Sequence, residues 1–530
     1  MICKQWSYVN RQIIEKLVYI QIARRFSQQD CSSRWESIVG LEIHAQINAQ
    51  SKLFSGAGTK FMVPPNSQVA VFDAALPGTL PVLNRRCVEA AICTAFALSC
   101  KINKRSFFDR KHYYYADLPT GYQITQNRVP IAVNGKLRFP INITDKIPVQ
   151  KTVNVKQIQI EQDSGKSLHD EDNRQTLVDL NRAGVGLMEI VTEPNLHNGQ
   201  EAAAMVRELQ LILQTINTCD AKMEEGSFRV DANISVNLPG QPFGTRAEVK
   251  NIGSIRNVKN AIDYEIKRQI SLLEKGKKVV ADTRFFDVKT GKTVSMRIKE
   301  TNLDYRFMPE PNLPPLVVYD DETIGESENP SNAININDIE RAVPELPEAK
   351  RLRFQEQYEI SWRSAVVLVS EQELAIFFEK VMSTENNLET KRVADWLINE
   401  VLTILNQSEV SILECSLSPN DFVDVVQSVS DGVVSADIAK LLLSLKVEGD
   451  SRSVNHIIEE NNWKQITDRS ALEELCREVI QENPEPVKIY RAGNKAAINR
   501  LMGIIQKKTG RKIQAQLAIT ILRELLDKDT

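Results

Sequence analysis

Hydrophobic and polar residues alternate strictly in several short stretches of the amino-terminal half. The first stretch, VGLEIHAQI at 39–47, places Glu42, His44 and Gln46 between hydrophobic neighbours. Because side chains alternate across a strand, this pattern predicts a half-buried strand with these three residues on one polar face. The same alternation recurs in KQIQIEQDSGK at 156–166, GSFRVDANISV at 226–236 and GTRAEVKN at 244–251.

Helical spacing dominates the carboxy-terminal part of the chain. Strand-like runs extend from about 36 to 318, interrupted by predicted helices near 84–100, 199–217 and 255–275. After Pro347, helices are predicted at 348–359, 370–382, 388–406, 418–428, 433–445, 468–480, 494–508 and 513–527. Runs of strands followed by runs of helices predict an α+β fold with a mainly antiparallel sheet. An acidic and polar stretch at 320–340 is the expected surface linker.

The predicted polar faces carry carboxylates, cations and one histidine. Besides Glu42 and His44, they hold Glu161, Asp163, Arg229, Asp231, Glu248 and Lys250. Mg²⁺ prefers carboxylate oxygens together with water and substrate phosphates. Gathered in one cleft, these groups would bind a metal-bound triphosphate and neutralise charge during phosphoryl transfer. The alternatives are a structural role for His44 and an ordinary charged sheet that faces solvent.

One segment, FFDRKHYYYADLPTGYQ at 107–123, combines acids, cations and aromatic residues. Arg110 and Lys111 suit a phosphate, and the run Tyr113–Tyr115 offers faces on which a base can stack. This mixture indicates an anion or nucleotide site. The alternative is an exposed strand and loop with a few tyrosine anchors.

Familiar phosphate-binding and hydrolase motifs are absent from the sequence. Gly165-Lys166-Ser167 and Gly291-Lys292-Thr293 resemble the end of a P-loop, but Ile160 and Phe286 stand where its first glycine is required. The sequence also lacks a dinucleotide glycine fingerprint and a G-x-S-x-G elbow. If ATP binds, it therefore binds without a P-loop.

Composition and charge narrow the class of protein. The 530 residues are 42% hydrophobic with a net charge of −3, and no apolar run approaches the ~20 residues that cross a bilayer. The eight cysteines form no C-x-x-C motif, which indicates reduced thiols and neither a zinc ribbon nor a disulfide scaffold.

Both ends of the chain are basic. Residues 1–34 hold six basic residues against Glu15 and Asp30, and with their amphipathic core they resemble a mitochondrial targeting presequence. A disordered basic arm that contacts nucleic acid is the alternative. Between Lys488 and Lys512 there are eight basic residues and no acidic ones. This patch indicates a phosphate-backbone partner, and a solubilising helix face is the alternative.

Several long segments, in order, resemble the B subunit family of the aspartyl/glutamyl-tRNA amidotransferases, in its mitochondrial form. The segments are VGLEIHAQ, LPGTLPVLN, FDRKHYYYADLPTGYQITQ, IEQDSGKSLHD, DLNRAGVGLMEIVTEP, MEEGSFRVDANISV, AEVKNIGSI and DYRFMPEPNLPPL. The resemblance covers almost everything after Ser37, and NKAAINRLMGIIQKKTGRK resembles the family's small helical tail domain, which lies near tRNA. It implies a presequence at 1–35, a cradle-like catalytic domain at 36–330, a helical domain at 340–460 and a tRNA-binding tail at 461–530.

The resemblance also implies an activity. Such enzymes use ATP and Mg²⁺ to phosphorylate the side-chain carboxylate of Glu misacylated on tRNA(Gln), and ammonia then displaces the phosphate. The ammonia comes from a separate glutaminase (A) subunit, and a small C subunit completes the complex. The expected location is the mitochondrial matrix, with no attachment to a membrane.

The resemblance assigns roles to particular residues. The implied catalytic residues are Glu42, His44, Glu161, Arg229 and Lys250. The implied metal ligands are Glu42, His44, Glu161, Asp163, Glu225 and Asp231. The implied nucleotide-binding residues are Asp109, Arg110, Lys111, Tyr122 and Arg306. The implied tRNA-binding residues are Lys495, Arg500, Lys507, Lys508, Arg511 and Lys512.

One position departs from the family pattern. Bacterial-type relatives usually read Glu-Glu-Asp where this chain reads Glu161-Gln162-Asp163. An amide oxygen ligates Mg²⁺ more weakly than a carboxylate, and strand alternation directs Glu161 and Asp163, rather than Gln162, to the polar face.

Two other functions are alternatives to catalysis of phosphorylation. A non-catalytic tRNA-binding scaffold would need the basic tail but not Glu42, His44 and Glu161. An amidase in its own right would need a Lys-Ser-Ser signature rich in glycine, which the sequence lacks.

Overall fold

The computed structural model describes residues 34–142, 149–170, 172–298, 306–327, 329, 332–385, 387–466 and 468–528. Within these ranges the chain forms two compact units that divide between Leu346 and Pro347. The presequence predicted at 1–35 lies outside the described residues, apart from Arg34 and Trp35. Among the helices of the described ranges, none has the length and apolar character needed to cross a membrane.

The first unit is built on a nine-stranded sheet. Its strands are β1 (Glu36–Gln46), β2 (Lys101–Ile102), β6 (Ala132–Asn142), β7 (Val149–Gln162), β10 (Gly186–Thr192), β11 (Phe228–Asn237), β12 (Ala247–Ile252), β13 (Asp282–Asp287) and β14 (Lys292–Ile298). They lie in the order β14-β13-β12-β11-β1-β10-β7-β6-β2. Neighbouring strands are antiparallel, except that β12 and β13 are parallel.

Short strands form smaller sheets beside this one. They are β3 (Arg105–Ser106), β4 (Asp109–His112), β5 (Tyr122–Thr125), β8 (Lys166–Asp170), β9 (Gln175–Asp179), β15 (Met308–Pro309) and β16 (Leu316–Val317). Strand β4 pairs with β5 and β15, β3 pairs with β16, and β8 with β9 forms a hairpin. Strands β4 and β5 bring the segment rich in tyrosine toward the polar face of the large sheet, where its residues line a cleft.

The described part of the first unit also contains four α-helices. They are α1 (Arg85–Ala97), α2 (Gly199–Thr215), α3 (Ile255–Glu274) and α4 (Ile336–Ala342), with a short 3₁₀ turn at Ile324–Glu326. The side chains of Asn84, Asn198 and Ser254 accept hydrogen bonds from backbone N–H groups in the first turns of α1, α2 and α3. These caps satisfy amides that have no partner within the helix, so the polar residues before each hydrophobic run fix where the helix begins.

The core of this unit lies on the apolar face of the sheet. Leu41 and Ile43 of β1, Ile190 of β10 and Ala232 of β11 are buried, and they belong to one cluster with Leu209 of α2. Burial of one residue in two leaves the intervening residues on the opposite face. The alternation in the sequence therefore predicted both the core and the polar face.

A buried ionic network joins α3 to the edge of the sheet. The Glu265 carboxylate accepts from Arg268 Nε at 2.9 Å, from Gln269 Nε2 at 2.9 Å and from Thr293 Oγ1 at 2.7 Å. The Nε atom of Arg284 lies 3.4 Å from the same carboxylate. Burial raises the pKa of Glu265, but the hydrogen bonds from Arg268, Gln269 and Thr293 outweigh burial and lower it below its usual value.

The second unit is helical. Its helices are α5 (Pro347–Tyr358), α6 (Trp362–Ser370), α7 (Gln372–Ser383), α8 (Thr390–Trp396), α9 (Leu402–Ser408), α10 (Pro419–Ser430), α11 (Ala436–Glu448), α12 (Val454–Glu460), α13 (Arg469–Glu482), α14 (Pro484–Arg491), α15 (Ile498–Lys508) and α16 (Ala515–Lys528). A π-helical segment, Leu397–Val401, joins α8 to α9, and a 3₁₀ turn, Lys495–Ala497, precedes α15. The last helices share a core of their own, which includes Leu472, Cys476, Leu501 and Leu522.

The predicted α+β class is confirmed. Helices α6, α12 and α14 were not predicted, because each is short and its hydrophobic residues blend into the neighbouring patterns. Helix α4 lies partly within the stretch expected to be a linker. Its Ile336 and Ile339 pack against the core of the first unit, so the end of the acidic stretch is anchored by a hydrophobic contact.

Candidate metal and nucleotide site

Strand register brings the predicted polar residues together on the face of the sheet opposite the helices. Glu42 of β1 is paired with Asp231 of β11, and His44 is paired with Arg229 on one side and with Glu189 of β10 on the other. Paired residues on the same face lie about 5 Å apart, so their side chains interact directly. The result is two adjacent groups of metal-ligand type on neighbouring positions of β1.

The first group, which we call the histidine trio, consists of His44, Glu161 and Glu189. One ligand atom of each lies within 4.8 Å of the others. His44 Nε2 is 3.6 Å from Glu161 Oε1 and 4.0 Å from Glu189 Oε1. Thr125 Oγ1 donates to Glu161 Oε2 at 3.1 Å, and Gln159 Nε2 donates to Glu189 Oε2. The outer oxygens are thus oriented by neutral donors, while the inner atoms face one another.

The carboxyl group of Glu189 is electrostatically disfavoured as an anion. Burial, followed by the carboxylates of Glu161 and Glu42, raises its pKa well above the usual range, and Lys111 offsets only part of this shift. Repulsion within a cluster of carboxylates that has too little positive charge can be relieved by protonation or by a bound cation. The histidine trio therefore fits a divalent cation.

The second group, which we call the carboxylate trio, consists of Glu42, Asp231 and Glu248. Their nearest oxygens also lie within 4.8 Å of one another. Asn233 Nδ2 donates to Glu42 Oε1 at 2.8 Å, and the buried Oδ1 of the same amide accepts no hydrogen bond from the residues that the structure describes. Lys250 Nζ lies 2.9 Å from Asp231 Oδ2 and 3.1 Å from Glu248 Oε1.

A β-bulge places Lys250 in this position. Lys250 and Asn251 together face the single residue Asp231, because the register shifts between Val230 and Ala232. Asn251 adopts φ 52°, and its N–H donates to Asp231 Oδ1 at 2.8 Å. Burial disfavours the ammonium of Lys250, but Asp231 and Glu248 outweigh burial and raise its pKa above the usual value.

His44 and Glu161 of the histidine trio and Asp231 of the carboxylate trio line a cleft of about 560 Å³. Its walls combine side chains of the large sheet with the segment after β4: His44, Lys111, His112, Tyr113, Tyr114, Tyr115, Gln123, Glu161, Asp163, Ser164, Leu187, Arg229, Asp231, Lys250 and Asn251. Tyr114 is 85% exposed and Tyr115 is 56% exposed. A cleft with acids on its floor, cations on its wall and aromatic rings at its rim can hold a metal-bound phosphate and stack a base.

Asp163 faces the cleft, but two cations already hold its carboxylate. Arg229 Nη2 lies 2.9 Å from Asp163 Oδ2, and Arg182 Nε lies 3.4 Å from the same oxygen. Asp163 thus orients Arg229 and stands outside both trios. Gln162 does not line the cleft, and its Nε2 donates to Tyr122 O at 3.5 Å.

Several predicted site residues have structural partners away from the trios. Arg110 forms a two-pronged ion pair with Glu310, at 2.6 and 2.9 Å, and stacks 4.2 Å from the ring centre of Tyr122. Asp109 accepts from Arg128 Nε at 2.7 Å. The backbone oxygen of Arg306 lies 2.8 Å from His112 Nδ1. Of the five predicted nucleotide-binding residues, Lys111 alone lines the cleft.

Glu225 is also placed apart from the trios. It lies in the turn before β11, where its Oε1 is 2.8 Å from Lys222 Nζ. Two trio members, Glu189 and Glu248, were not among the predicted metal ligands. Glu248 lay on a strand that the alternation had identified. Glu189 lies in GLMEIVT, where a single charge among hydrophobic residues gave little signal until the pairing with His44 was known.

The predicted tRNA-binding residues lie in the last part of the second unit. Arg500, Lys507 and Arg511 are exposed. Lys508 Nζ pairs with Glu478 at 3.0 Å and with Glu482 at 2.7 Å. Lys495 Nζ pairs with Asp527 at 3.1 Å. Acidic residues of α13 and α16 therefore neutralise part of a patch that contains no acid within its own stretch of sequence.

Comparison with known proteins identifies relatives along nearly the whole chain. Residues 37–324 match the GatB/GatE catalytic domain, and residues 376–526 match the GatB domain. The B subunit of the mitochondrial glutamyl-tRNA(Gln) amidotransferase of Homo sapiens is 48% identical over 497 residues, which cover 93% of this chain and 88% of the human one. The B subunit of the aspartyl/glutamyl-tRNA(Asn/Gln) amidotransferase of Rickettsia conorii is 43% identical over 495 residues, which cover 93% of this chain and 98% of the bacterial one.

Proposed function

The chain belongs to the GatB/GatE family, and on that premise we propose that it is the mitochondrial B subunit that converts Glu-tRNA(Gln) into Gln-tRNA(Gln). The family resemblance seen in its motifs is thereby confirmed. The observation that carries the proposal is one cleft in which His44, Glu161 and Asp231, members of the two trios, stand beside Lys111, Arg229 and Lys250. A tRNA-binding scaffold would have no use for such a concentration of ligand atoms.

His44, Glu161 and Glu189 would hold Mg²⁺, because they offer three ligand atoms in a cluster whose negative charge Lys111 offsets only in part. When bound, the ion would neutralise phosphate charge that the protein's cations alone leave unbalanced. Arg229, held by Asp163, and Lys111 would orient the phosphates of ATP from the wall of the cleft. Fixed cations of this kind stabilise transferred phosphoryl groups without reorganising during the reaction.

Two chemical steps follow from the substrate. A carboxylate accepts an amine poorly, so the side chain of Glu on the tRNA first takes the γ-phosphoryl group of ATP and releases ADP. Ammonia then attacks the acyl phosphate, an amide forms and phosphate leaves. Exclusion of water protects the acyl phosphate between the steps. The ring faces of Tyr114 and Tyr115 at the rim would stack against the terminal base of the tRNA.

The proposal includes partners and a location. A glutaminase (A) subunit would supply ammonia, a small C subunit would complete the assembly, and Arg500, Lys507 and Arg511 of the tail would contact the tRNA backbone. The relatives named as mitochondrial support a mitochondrial protein, and we place the complex in the matrix.

The test is amidation of Glu-tRNA(Gln) by the reconstituted complex with glutamine and ATP. His44→Ala and Glu161→Gln should each lower the rate at least a hundredfold, while glutaminase activity of the partner and affinity for tRNA remain. His169→Ala is the matched control, because this histidine lies on the exposed hairpin of β8 and β9. Amidation at the unsubstituted rate in both trio variants would reject catalysis by this cleft and favour a scaffold.

A further inference from the structure

A buried ion pair, formed by Lys52 and Asp73, lies against the turn that precedes β10. Lys52 is fully buried, Asp73 is 6% exposed, and Lys52 Nζ lies 3.0 Å from Asp73 Oδ2. The hydroxyl of Ser55 and the backbone N–H of Ala70 donate to the same carboxylate. Burial lowers the pKa of Lys52, and the negative charge of Asp73 opposes this shift. Because the desolvation of two charges can exceed their attraction, a buried pair is weak evidence of a purely stabilising role.

Lys52 also binds the backbone of that turn, residues 180–185. Its Nζ atom donates to the carbonyl oxygen of Leu180 at 3.2 Å. Gly184, in the same turn, adopts φ 84°, and a Cβ atom at this position would lie only 2.7 Å from Asp73 Oδ1. The turn is therefore held by the ammonium at one residue and packs against the carboxylate at another.

Hydrogen bonds continue from the turn to the cleft. The N–H of Asp163 donates to Val185 O at 2.8 Å, and the N–H of Gly184 donates to Asp163 O at 2.9 Å. Arg182 Nε, from the middle of the turn, lies 3.4 Å from Asp163 Oδ2. The same oxygen is 2.9 Å from Arg229 Nη2, and Arg229 lines the cleft. The position of the Arg229 guanidinium thus depends on a turn that the buried pair anchors.

We propose that Lys52 and Asp73 are positioning residues, which hold Arg229 where it meets the phosphates of ATP. The inference rests on the proposed function, in which Arg229 orients those phosphates. Neither side chain of the pair lines the cleft, so both act through the turn and Asp163. An apolar pair of equal volume would fill the same space, whereas an ammonium binds a carboxylate and a carbonyl oxygen with directed hydrogen bonds.

The test removes both charges together, because the loss of one would leave the other buried without a partner. In Lys52→Met with Asp73→Asn the side-chain volumes are nearly conserved, and Leu180 O still accepts from the N–H of Ala183. The unfolding temperature should stay close to that of the unsubstituted protein. In the reconstituted complex, the KM for ATP should rise about tenfold while kcat falls less than about threefold.

A second comparison shows whether the pair acts through Arg229. Arg229→Met alone should raise the KM for ATP at least as much as the double variant does. Combining the three substitutions should raise it no further, because residues that act through one another are not additive. A matched control, Lys151→Met with Glu201→Gln, removes an ion pair between β7 and α2 and should leave both kinetic constants unchanged.

Each alternative result has a definite reading. An unchanged KM for ATP in the double variant, or effects that multiply in the combined variant, would overturn the inference and leave the proposed activity intact. An unchanged KM in Arg229→Met would remove Arg229 from the proposed ATP site, and the inference with it. Should the double variant not fold, Arg182→Met breaks a later contact of the same path at a partly exposed side chain. It should raise the KM only while Arg229 is present, and no effect, or an effect that persists in Arg229→Met, would contradict the inference.

Discussion

His44 Nε2 on β1 lies 3.6 Å from Glu161 Oε1 on β7, although β10 separates the two strands in the sheet. The contact is possible because both side chains stand on the polar face and lean over Glu189 of β10, which lies between them. Three strands therefore supply one atom each to the histidine trio. A shift of any of them by one residue would turn its ligand toward the core.

Glu189 should make the stability of the metal-free protein depend on pH. Its raised pKa means that the folded state holds a proton that the unfolded chain loses above about pH 4.3. The favourable contribution is complete below that pH and is lost as pH rises toward the folded-state pKa. Thermal unfolding in the presence of chelator should show Glu189→Gln more stable than the unsubstituted protein at pH 8, and no more stable at pH 4.

Divalent metal at pH 8 should reverse the order of stability of Glu189→Gln and the unsubstituted protein. Added Mg²⁺ should raise the unfolding temperature of the unsubstituted protein at pH 8 and have little effect on Glu189→Gln, because a neutral amide is a weaker ligand. Equal stabilisation of both proteins by Mg²⁺ would show that Glu189 is not a ligand of the ion.

Loss of the Glu265 carboxylate should destabilise the first unit by about 3 kcal/mol, because Arg268 would lose its buried counter-charge and Arg284 would keep only Asp282. Denaturant unfolding of Glu265→Gln at pH 7 measures the loss. Since the pKa of Glu265 is lowered, its contribution is present above about pH 4.3 and disappears as pH falls further. The two proteins should converge in acid. Glu274→Gln, at the exposed end of the same helix, should change stability by less than about 0.5 kcal/mol.

The ion pair between Arg110 and Glu310 should position Lys111 indirectly. Glu310 is buried, and the pair joins β4 to β15, next to the lysine that lines the cleft. Arg110→Lys keeps the charge but loses the planar fork, so it should cost about 2 kcal/mol of unfolding free energy. It should raise the KM for ATP more than it lowers kcat. If the KM for ATP is the same as that of the unsubstituted complex, the Arg110–Glu310 pair stabilises the fold but does not position Lys111.

The tail should bind tRNA unevenly along its basic patch. Reversal of charge at Lys507 and Arg511 should weaken binding and reduce the slope of log K against log salt by about one for each phosphate that the tail no longer neutralises. Lys508→Glu should weaken tRNA binding less, because Glu478 and Glu482 already neutralise that lysine. Filter binding over a salt series measures both.

A gain-of-affinity variant provides the control for the tail. Glu478→Gln with Glu482→Gln would release Lys508 and should tighten binding of tRNA and steepen the salt slope. If affinity stays constant at every salt concentration in all of these variants, the patch has no role in nucleic acid binding.

The sequence was sufficient to predict most of the longer helices and the polar face of the large sheet, but not the short helices α4, α6, α12 and α14. Alternation in VGLEIHAQI and GSFRVDANISV placed Glu42, His44 and Asp231 on the polar side, and register then brought Glu42 opposite Asp231. The partition of the acids into two trios could not be predicted, because it depends on which strands are neighbours. Glu310 is 200 residues from Arg110, so no local pattern could reveal that this predicted nucleotide ligand is committed to an ion pair. The assignments of ATP, metal and tRNA residues remain predictions.

The bulge opposite Asp231 limits the insertions and deletions that strand β12 can tolerate. An inserted or deleted codon between Ala247 and Lys250 would turn the side chains that follow it to the other face and move the Lys250 ammonium away from Asp231 and Glu248. Side chains of the loop just upstream, residues 238–245, are mostly exposed and do not alternate between the two faces of a sheet, so its length is not constrained in this way. Length polymorphism should therefore be harmless in the loop and disabling within the strand that follows it.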